Sequence, residues 1–271
     1  MMTSKEDVRA FWDKAACGEK LYLDNLNVEG FRKQATTRYT LEPFIIPFAD
    51  FKAAQGKRVL EIGVGLGADH QSFAEAGAVL TGVDLTSHAI EMTRRRFMKF
   101  GLKSNLNVGD AENLNFPDNS FDIVYSWGVI HHSPDTQKAV NEIFRVLKPG
   151  GRAKVMIYHR YSMVGYMLWL RYGLLAGRPF TKLATIYSRY LESPGTKAYS
   201  VADARELFRQ YKMVLTNIQL GHGDLLTSQA GQRHEGTLLN AARKIWPRWV
   251  LKRLCKCYGL FMLIEAKKPP S

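Results

Sequence analysis

Val59-Leu60-Glu61-Ile62-Gly63-Val64-Gly65-Leu66-Gly67-Ala68 is the stretch that most limits what this chain can fold into. Its first four residues read as a short buried strand. Three glycines at alternate positions then let the backbone turn sharply and approach a ligand, where any Cβ would clash. Residues 68–76 follow with a helical pattern, and the free N–H groups of the first turn face back over the glycines. Val79-Leu80-Thr81-Gly82-Val83-Asp84 repeats the buried-strand pattern and ends in a carboxylate. Further strands are expected at 105–108, 121–126 and 152–158, with helices at 87–100 and 135–146. Such alternation implies a parallel sheet with helices on both faces.

The glycine turn and Asp84 together suit a nucleoside: the turn lies under its tail and the carboxylate accepts from ribose hydroxyls. Gly63-x-Gly65-x-x-Ala68 with Asp84 also satisfies the loose dinucleotide fingerprint, so a nicotinamide oxidoreductase is the competing reading. Glu61 counts against it, because a carboxylate inside the turn repels a pyrophosphate. It is expected instead to fix the loop's own amides or to neighbour a cationic ligand. Asp110-Ala111-Glu112 forms a second acidic turn able to accept from an adenine amino group. Leu147-Lys148-Pro149-Gly150-Gly151 reads as a turn before the strand at 152–158, and Ser133-Pro134 as the cap and first turn of the helix at 135–146.

Five pieces occur in order across residues 57–158: the Glu-x-Gly-x-Gly-x-Gly loop, Asp84, the Asp110-Ala111-Glu112 turn, Trp127-Gly128-Val129-Ile130-His131-His132-Ser133-Pro134-Asp135, and Leu-Lys-Pro-Gly-Gly. In these the chain resembles the class I S-adenosylmethionine-dependent methyltransferases, in the broad group that includes the ubiquinone/menaquinone methyltransferases. The resemblance implies a doubly wound, mostly parallel seven-stranded sheet, with a last strand at Leu260-Phe261-Met262-Leu263-Ile264-Glu265 inserted antiparallel. It implies S-adenosylmethionine as cofactor, held by Glu61, Gly63, Gly65, Gly67, Asp84, Leu85, Asp110, Ala111, Ser126 and Trp127. His131 resembles the histidine of the family's loop after the fourth strand. It is the first candidate for a general base and His159 the second, with His222 and His234 behind them. Tyr22, Arg38 and Tyr39 are candidates for the methionine end, and His132, Tyr158 and Trp169 for the acceptor.

One methyltransferase domain accounts for 271 residues. Residues 1–56 are expected to form a helical cap, with helices at 5–16 and 28–49, the latter broken near Pro43 and Pro47. Residues 57–158 form the cofactor core. An insertion follows at 160–200, and the C-terminal part, 201–271, carries a helix at 201–211, strands at 213–220 and 258–266, and a basic insertion at 221–257. The polar start Met1-Met2-Thr3-Ser4-Lys5 is unlike a signal peptide, and three cysteines fit a reducing, cytoplasmic setting. Cys255 and Cys257 without further thiols or clustered histidines make a poor zinc site, and no metal is expected.

The net charge of +13 sits mainly outside the core. Residues 160–199 carry six basic side chains against Glu192, and residues 232–257 carry seven against Glu235. Residues 163–176 are mostly apolar but fall short of the roughly 20 that a membrane span needs, and Arg171 interrupts them. They are expected to act as a lid over an apolar pocket, as a homodimer interface or as a core helix packed on the sheet. Lys244, Arg248, Lys252 and Lys256 at i,i+4 intervals beside Trp246 and Trp249 read as a basic helix suited to an acidic membrane surface. The acceptor is therefore expected to be a small apolar or amphipathic molecule. RNA or a nucleotide is the alternative substrate; the aliphatic insertion and the lack of an RNA-binding appendage make it the lesser one.

Overall fold

Seven strands pair into a single sheet: β1 (Arg58–Ile62), β2 (Val79–Asp84), β3 (Asn105–Val108), β4 (Phe121–Trp127), β5 (Leu147–Tyr158), β6 (Met213–Gln219) and β7 (Phe261–Lys267). The computed structural model describes residues 4–228 and 243–270. The strand order is β3-β2-β1-β4-β5-β7-β6. Strands β1 to β5 run parallel, and β7 lies antiparallel between β5 and β6. This is the doubly wound sheet with an inserted antiparallel last strand that the motifs implied.

Successive residues of a strand face opposite sides, and both sides are covered. Leu60, Ile62 and Val124 pack on one side against Val140 and Ile143 of the helix Thr136–Val146. Val59, Ile123 and Tyr125 pack on the other against Phe73 of the helix Ala68–Glu75 and Phe97 of the helix Ser87–Phe100. Burying each such side chain stabilises the fold by roughly 1.5–3 kcal/mol, which favours the apolar runs of the central strands β1 and β4. Arg96, itself fully buried, braces the core to the N-terminal cap. Its guanidinium donates to Gln71 Oε1, Gln34 Oε1, Leu66 O and Phe31 O at 2.7–2.9 Å. Those partners come from the helix Val28–Leu41, the glycine turn and the helix after it, so one cation ties three elements around the turn. With no carboxylate among its bonds, burial lowers the Arg96 pKa to about 10.

Several local expectations need correcting. Ser133 does not cap the helix at 136; Asp135 does, accepting from Lys138 N, while Ser133 Oγ donates to Glu112. The Lys-Pro-Gly-Gly run lies inside β5 as a bulge: Phe121 pairs with Leu147, and the next pair in register is Ile123 with Arg152. Pro149 has no N–H for the ladder and Gly150 takes φ +75°, so the chain loops out there and rejoins the strand. The N-terminal helix stops at Trp12, and the apolar segment is helical only over Met163–Trp169, widening to a π-type turn over Leu170–Leu174. The C-terminal basic helix is short, Arg248–Leu254, because Pro247 breaks the pattern. Arg248 turns inward to donate to Leu225 O, Leu226 O and Arg243 O, so it leaves the expected row of exposed cations. Among the described residues, no helix is long and apolar enough to cross a membrane.

Candidate active site

The strand order reverses between β1 and β4, and an open α/β sheet receives ligands at the carboxyl ends of the strands beside such a switch. A cavity of about 900 Å³, part of it open to solvent, lies there, walled by Gly63, Gly65, Asp84, Gly109, Trp127 and Gly128 at those strand ends. The helix Lys5–Trp12 covers it with Lys5, Val8 and Trp12. A smaller space of about 440 Å³ adjoins it, sharing Cys17, Gly63, Gly65 and Trp127.

The glycines shape the floor for different reasons. A Cβ on Gly63 would meet Val129 Cγ2 at 2.1 Å, so that glycine packs against the loop after β4. Gly65, at φ +52°, lines both spaces and a Cβ on it would meet no protein atom within 4 Å. Its side of the turn is a cradle that only a ligand fills. Asp84, at the end of β2, accepts from Thr86 N at 3.0 Å and Thr86 Oγ1 at 2.9 Å through Oδ1, and from Gly65 N at 3.2 Å through Oδ2. Burial raises its pKa, and the three donors pull against that rise. The carboxylate keeps lone pairs toward the cavity, which is what a ribose diol requires. Cradle and acceptor thus fit a nucleoside cofactor.

Leu85 and Ala111 complete this wall. Asp110 is in it too, but its Oδ1 accepts from Glu112 N at 2.9 Å and its Oδ2 from Lys5 Nζ at 2.5 Å. Lys5 also bonds Glu112 Oε2 at 2.8 Å, fastening the covering helix to the acidic turn. Ser126, by contrast, is fully buried with its Oγ unpartnered and stands outside the cavity wall.

In the smaller space, Arg38 forms a forked pair with Asp69 at 3.1 and 2.7 Å, and Tyr125 donates to the same carboxylate at 2.9 Å. Burial pushes Asp69 up, yet the guanidinium and these hydrogen bonds override it and hold the carboxyl below its ordinary range. Tyr39 stands behind, bonded to Ala68 O and Ser72 Oγ, and braces the helix instead of lining the space. Glu61 does not hold the loop amides. Its Oε2 lies 2.8 Å from His70 Nδ1, whose Nε2 lies 2.7 Å from Ser104 Oγ. Burial, and then the nearby Asp69 charge, raises Glu61 well above its usual range, while burial lowers His70 to about 3. Ser104 Oγ donates to Leu80 O, so His70 Nε2 donates to Ser104, and one proton lies between Glu61 Oε2 and Nδ1. The turn is floored by this buried pair.

The histidines separate by position. His131 is fully buried with neither ring nitrogen bonded, packed on Tyr158 at 4.1 Å and His132 at 4.2 Å between ring centroids. Burial, with His132 and Lys197 beside it, drives its pKa well down, and it lies behind the cavity wall. His159 is also buried, its Nδ1 3.2 Å from Gly259 O. Neither reaches the cavity; His132 does. His132 Nδ1 sits 2.8 Å from Ser193 Oγ and 3.1 Å from Thr196 Oγ1, and its Nε2 lies 3.5 Å from Glu192 Oε2. Tyr158 donates to the same Glu192 oxygen at 2.8 Å. Burial raises the Glu192 pKa, but His132 and Tyr158 outweigh it and leave the carboxyl below its ordinary value. Thr196 directs its own hydrogen to Ser193 O, so toward His132 Nδ1 it accepts, while Nε2 faces the carboxylate.

Tyr22 is half-buried, and burial raises its hydroxyl pKa against a hydrogen bond with Ser228. Trp169 packs half-buried on the second core, away from the cavity wall. His222 pairs with Glu42 at 3.6 Å, and His234 lies outside the described residues. Sequence reasoning overlooked Trp12, Cys17, Glu42 and Glu192. The signal for Glu192 was present, since it is the single carboxylate in a 40-residue basic insertion. Cys17 is exposed and opens onto both spaces. Among the described residues no three His, Cys, Asp or Glu side chains are grouped to hold a metal ion.

Residues 60–155 match the family model described as a methyltransferase domain. Phosphoethanolamine N-methyltransferase 2 of Caenorhabditis elegans is 37% identical over 113 residues, 41% of this chain and 25% of that protein. Demethylmenaquinone methyltransferase of Tropheryma whipplei (strain Twist) is 35% identical over 123 residues, 44% of this chain and 50% of that protein. The chain thus spans between a quarter and a half of these curated relatives. In the fold, the YcgJ protein of Bacillus subtilis superimposes with a TM-score of 0.53 at 21% identity, covering 82% of this chain and 97% of that one. In this domain, this sheet order and this cradle the chain is similar to the class I S-adenosylmethionine-dependent methyltransferases, with residues 60–155 as its methyltransferase domain.

Proposed function

We propose that the chain methylates a small amphipathic acceptor. The observation that carries this reading is the junction of the two spaces, where the cradle residues Gly63 and Gly65 meet an aromatic wall of Trp12 and Trp127, with His132 in the larger space. S-adenosylmethionine, when bound, supplies a methyl group on a sulfonium with a neutral thioether as leaving group. The protein's part is to hold the acceptor in line with that methyl and to keep water out. Asp84 and the glycine turn fix the nucleoside; Trp12, Val8 and Trp127 give the enclosure its apolar surface. An acceptor hydroxyl, ammonium or thiol must also lose a proton as its bond to the methyl carbon forms and the carbon–sulfur bond breaks. The His132–Glu192 pair, 3.5 Å apart, is the group proposed to take it.

Calorimetric titration with S-adenosylmethionine and S-adenosylhomocysteine, with NADH as control, tests the cofactor half. Micromolar binding of the first two and none of the third is the expected result; binding of NADH alone would overturn it. Release of S-adenosylhomocysteine with a panel of small amines, phenols and thiols then tests the acceptor. Turnover restricted to RNA would transfer the assignment to a nucleic-acid substrate.

A further inference from the structure

We propose that the outer side of the two insertions is a docking surface for an anionic lipid bilayer. The helix Met163–Trp169 turns Leu168 into the protein, but the chain after it leaves Leu175 70% and Phe180 96% exposed. The helix Arg248–Leu254 is anchored by buried Leu251 and leaves Trp249 69% and Leu254 70% exposed, with Ile245 before it at 83%. Large apolar side chains standing this far out mark a surface made to be covered.

The charge around them selects the cover. Arg171, Arg178 and Lys182 accompany the first group; Lys244, Lys252, Arg253 and Lys256 accompany the second. No carboxylate occurs between Arg160 and Leu191, nor between Arg243 and Ile264. The guanidinium of Arg253 lies 5.6 Å from the Trp249 ring centre, which sets a cation beside the most exposed ring of that helix. Tryptophan and leucine rimmed by lysine and arginine is the composition that settles at a headgroup layer, apolar groups in the acyl boundary and cations on the phosphates. Phe180 and Trp249 present π faces on which a base can stack, but Leu175, Ile245 and Leu254 beside them present none and suit acyl chains.

The two groups are fixed to each other. The ring of Tyr166 lies 6.2 Å from that of Tyr258. Buried Asp224 accepts from Val164 N in the first insertion at 3.2 Å, from Gly221 N at 2.9 Å and from Leu260 N at 2.8 Å, and its carbonyl accepts from Trp246 Nε1 at 2.9 Å. One carboxylate therefore sets the start of the first insertion helix, the second insertion and the lead into β7. Among the described residues no helix can span a bilayer, so the contact is with its surface. This surface is argued independently of methyl transfer.

The test is co-sedimentation of the full chain with phosphatidylcholine vesicles, with and without phosphatidylglycerol. The chain is expected to pellet only with the anionic vesicles. Phe180→Ser with Trp249→Ser should abolish pelleting, and Lys252→Gln and Lys256→Gln should each weaken it about fivefold. Retained binding of S-adenosylhomocysteine verifies that each variant is folded. A chain that stays in the supernatant with anionic vesicles, or whose pelleting is indifferent to the Phe180 and Trp249 changes, overturns the proposal. So does a stable dimer in light scattering that these same changes dissolve, which would assign the face to a second copy. An RNA oligonucleotide that binds through the lysines, with vesicles failing to bind, would assign it to nucleic acid.

Discussion

Asp84 lines the cavity and also accepts from Thr86 and Gly65, so removing it takes a hydrogen-bond acceptor from the ligand's wall. Asp84→Ala should weaken S-adenosylhomocysteine binding by about 1.5–3 kcal/mol, the worth of charge-assisted bonds, in a calorimetric titration. Unchanged affinity would remove Asp84 from the ribose. Glu192 predicts a different split. Glu192→Gln keeps the Tyr158 contact but leaves His132 Nε2 without its carboxylate, so turnover should fall about a hundredfold or more while cofactor affinity holds. A variant with full turnover would mean that the acceptor has no proton to surrender. Asp84 could be named from its spacing to the glycine turn, because both belong to one strand-turn-helix-strand unit. The His132–Glu192 contact could not, because 60 residues separate the partners and only the folded insertion brings them together.

At the scale of elements, the glycine loop and its flanking strands were legible because their geometry is local: strand, positive-φ glycines, helix. Helix ends were less so. Ser133 and Asp135 are both competent caps, and the choice fell to Asp135 because Glu112, from a distant turn, accepts the Ser133 hydroxyl and the Asp135 N–H. The insertion at 160–200 was read as a lid, an interface or a core helix; its inner side, through Val164, Leu168 and Trp169, packs on the sheet. Asp224 is the hinge-pin of these late elements, and its acidity can be read from stability. Burial lifts its pKa to about 6 against the pull of the Leu260, Gly221 and Val164 N–H groups. The folded value lies above the roughly 3.9 of an unfolded aspartate. The stability linked to this group is thus fully present below about pH 4 and is lost as pH rises through 6, up to about 3 kcal/mol. Asp224→Asn, although less stable overall, should lose that slope between pH 4 and 6 in thermal melts. Parallel pH profiles for the two chains would show that the carboxyl does not titrate there.

For the molecule as a whole, the doubly wound sheet and the cofactor class could both be reached from the motifs across residues 57–158 and the late strand at 260–265. The identity of the acceptor could not, because His132 meets the N-terminal cap in the cavity wall and Glu192 of the first insertion behind it, contacts that no local pattern encodes. The cap and the loop after β4 meet at the cavity, so cofactor binding should be felt globally. S-adenosylhomocysteine at about 100 times its Kd should stabilise the fold by about 2.7 kcal/mol, seen as a higher melting temperature. NADH should leave that temperature unmoved; a rise with NADH alone would contradict the cofactor assignment.

The clasp of Lys5 on Asp110 and Glu112 bears on time as well as on affinity. A nucleoside seated beneath the helix Lys5–Trp12 has that helix across its exit, so its dwell time follows how often the clasp lets go, while its equilibrium grip depends on the floor below. Lys5→Met should accordingly shorten the dwell time of S-adenosylhomocysteine in a stopped-flow displacement experiment by more than it lowers the association rate; equal effects on both would leave the clasp no part in release. In an enzyme whose spent cofactor resembles the fresh one in all but a methyl group, such a latch sets how quickly one catalytic round can give way to the next.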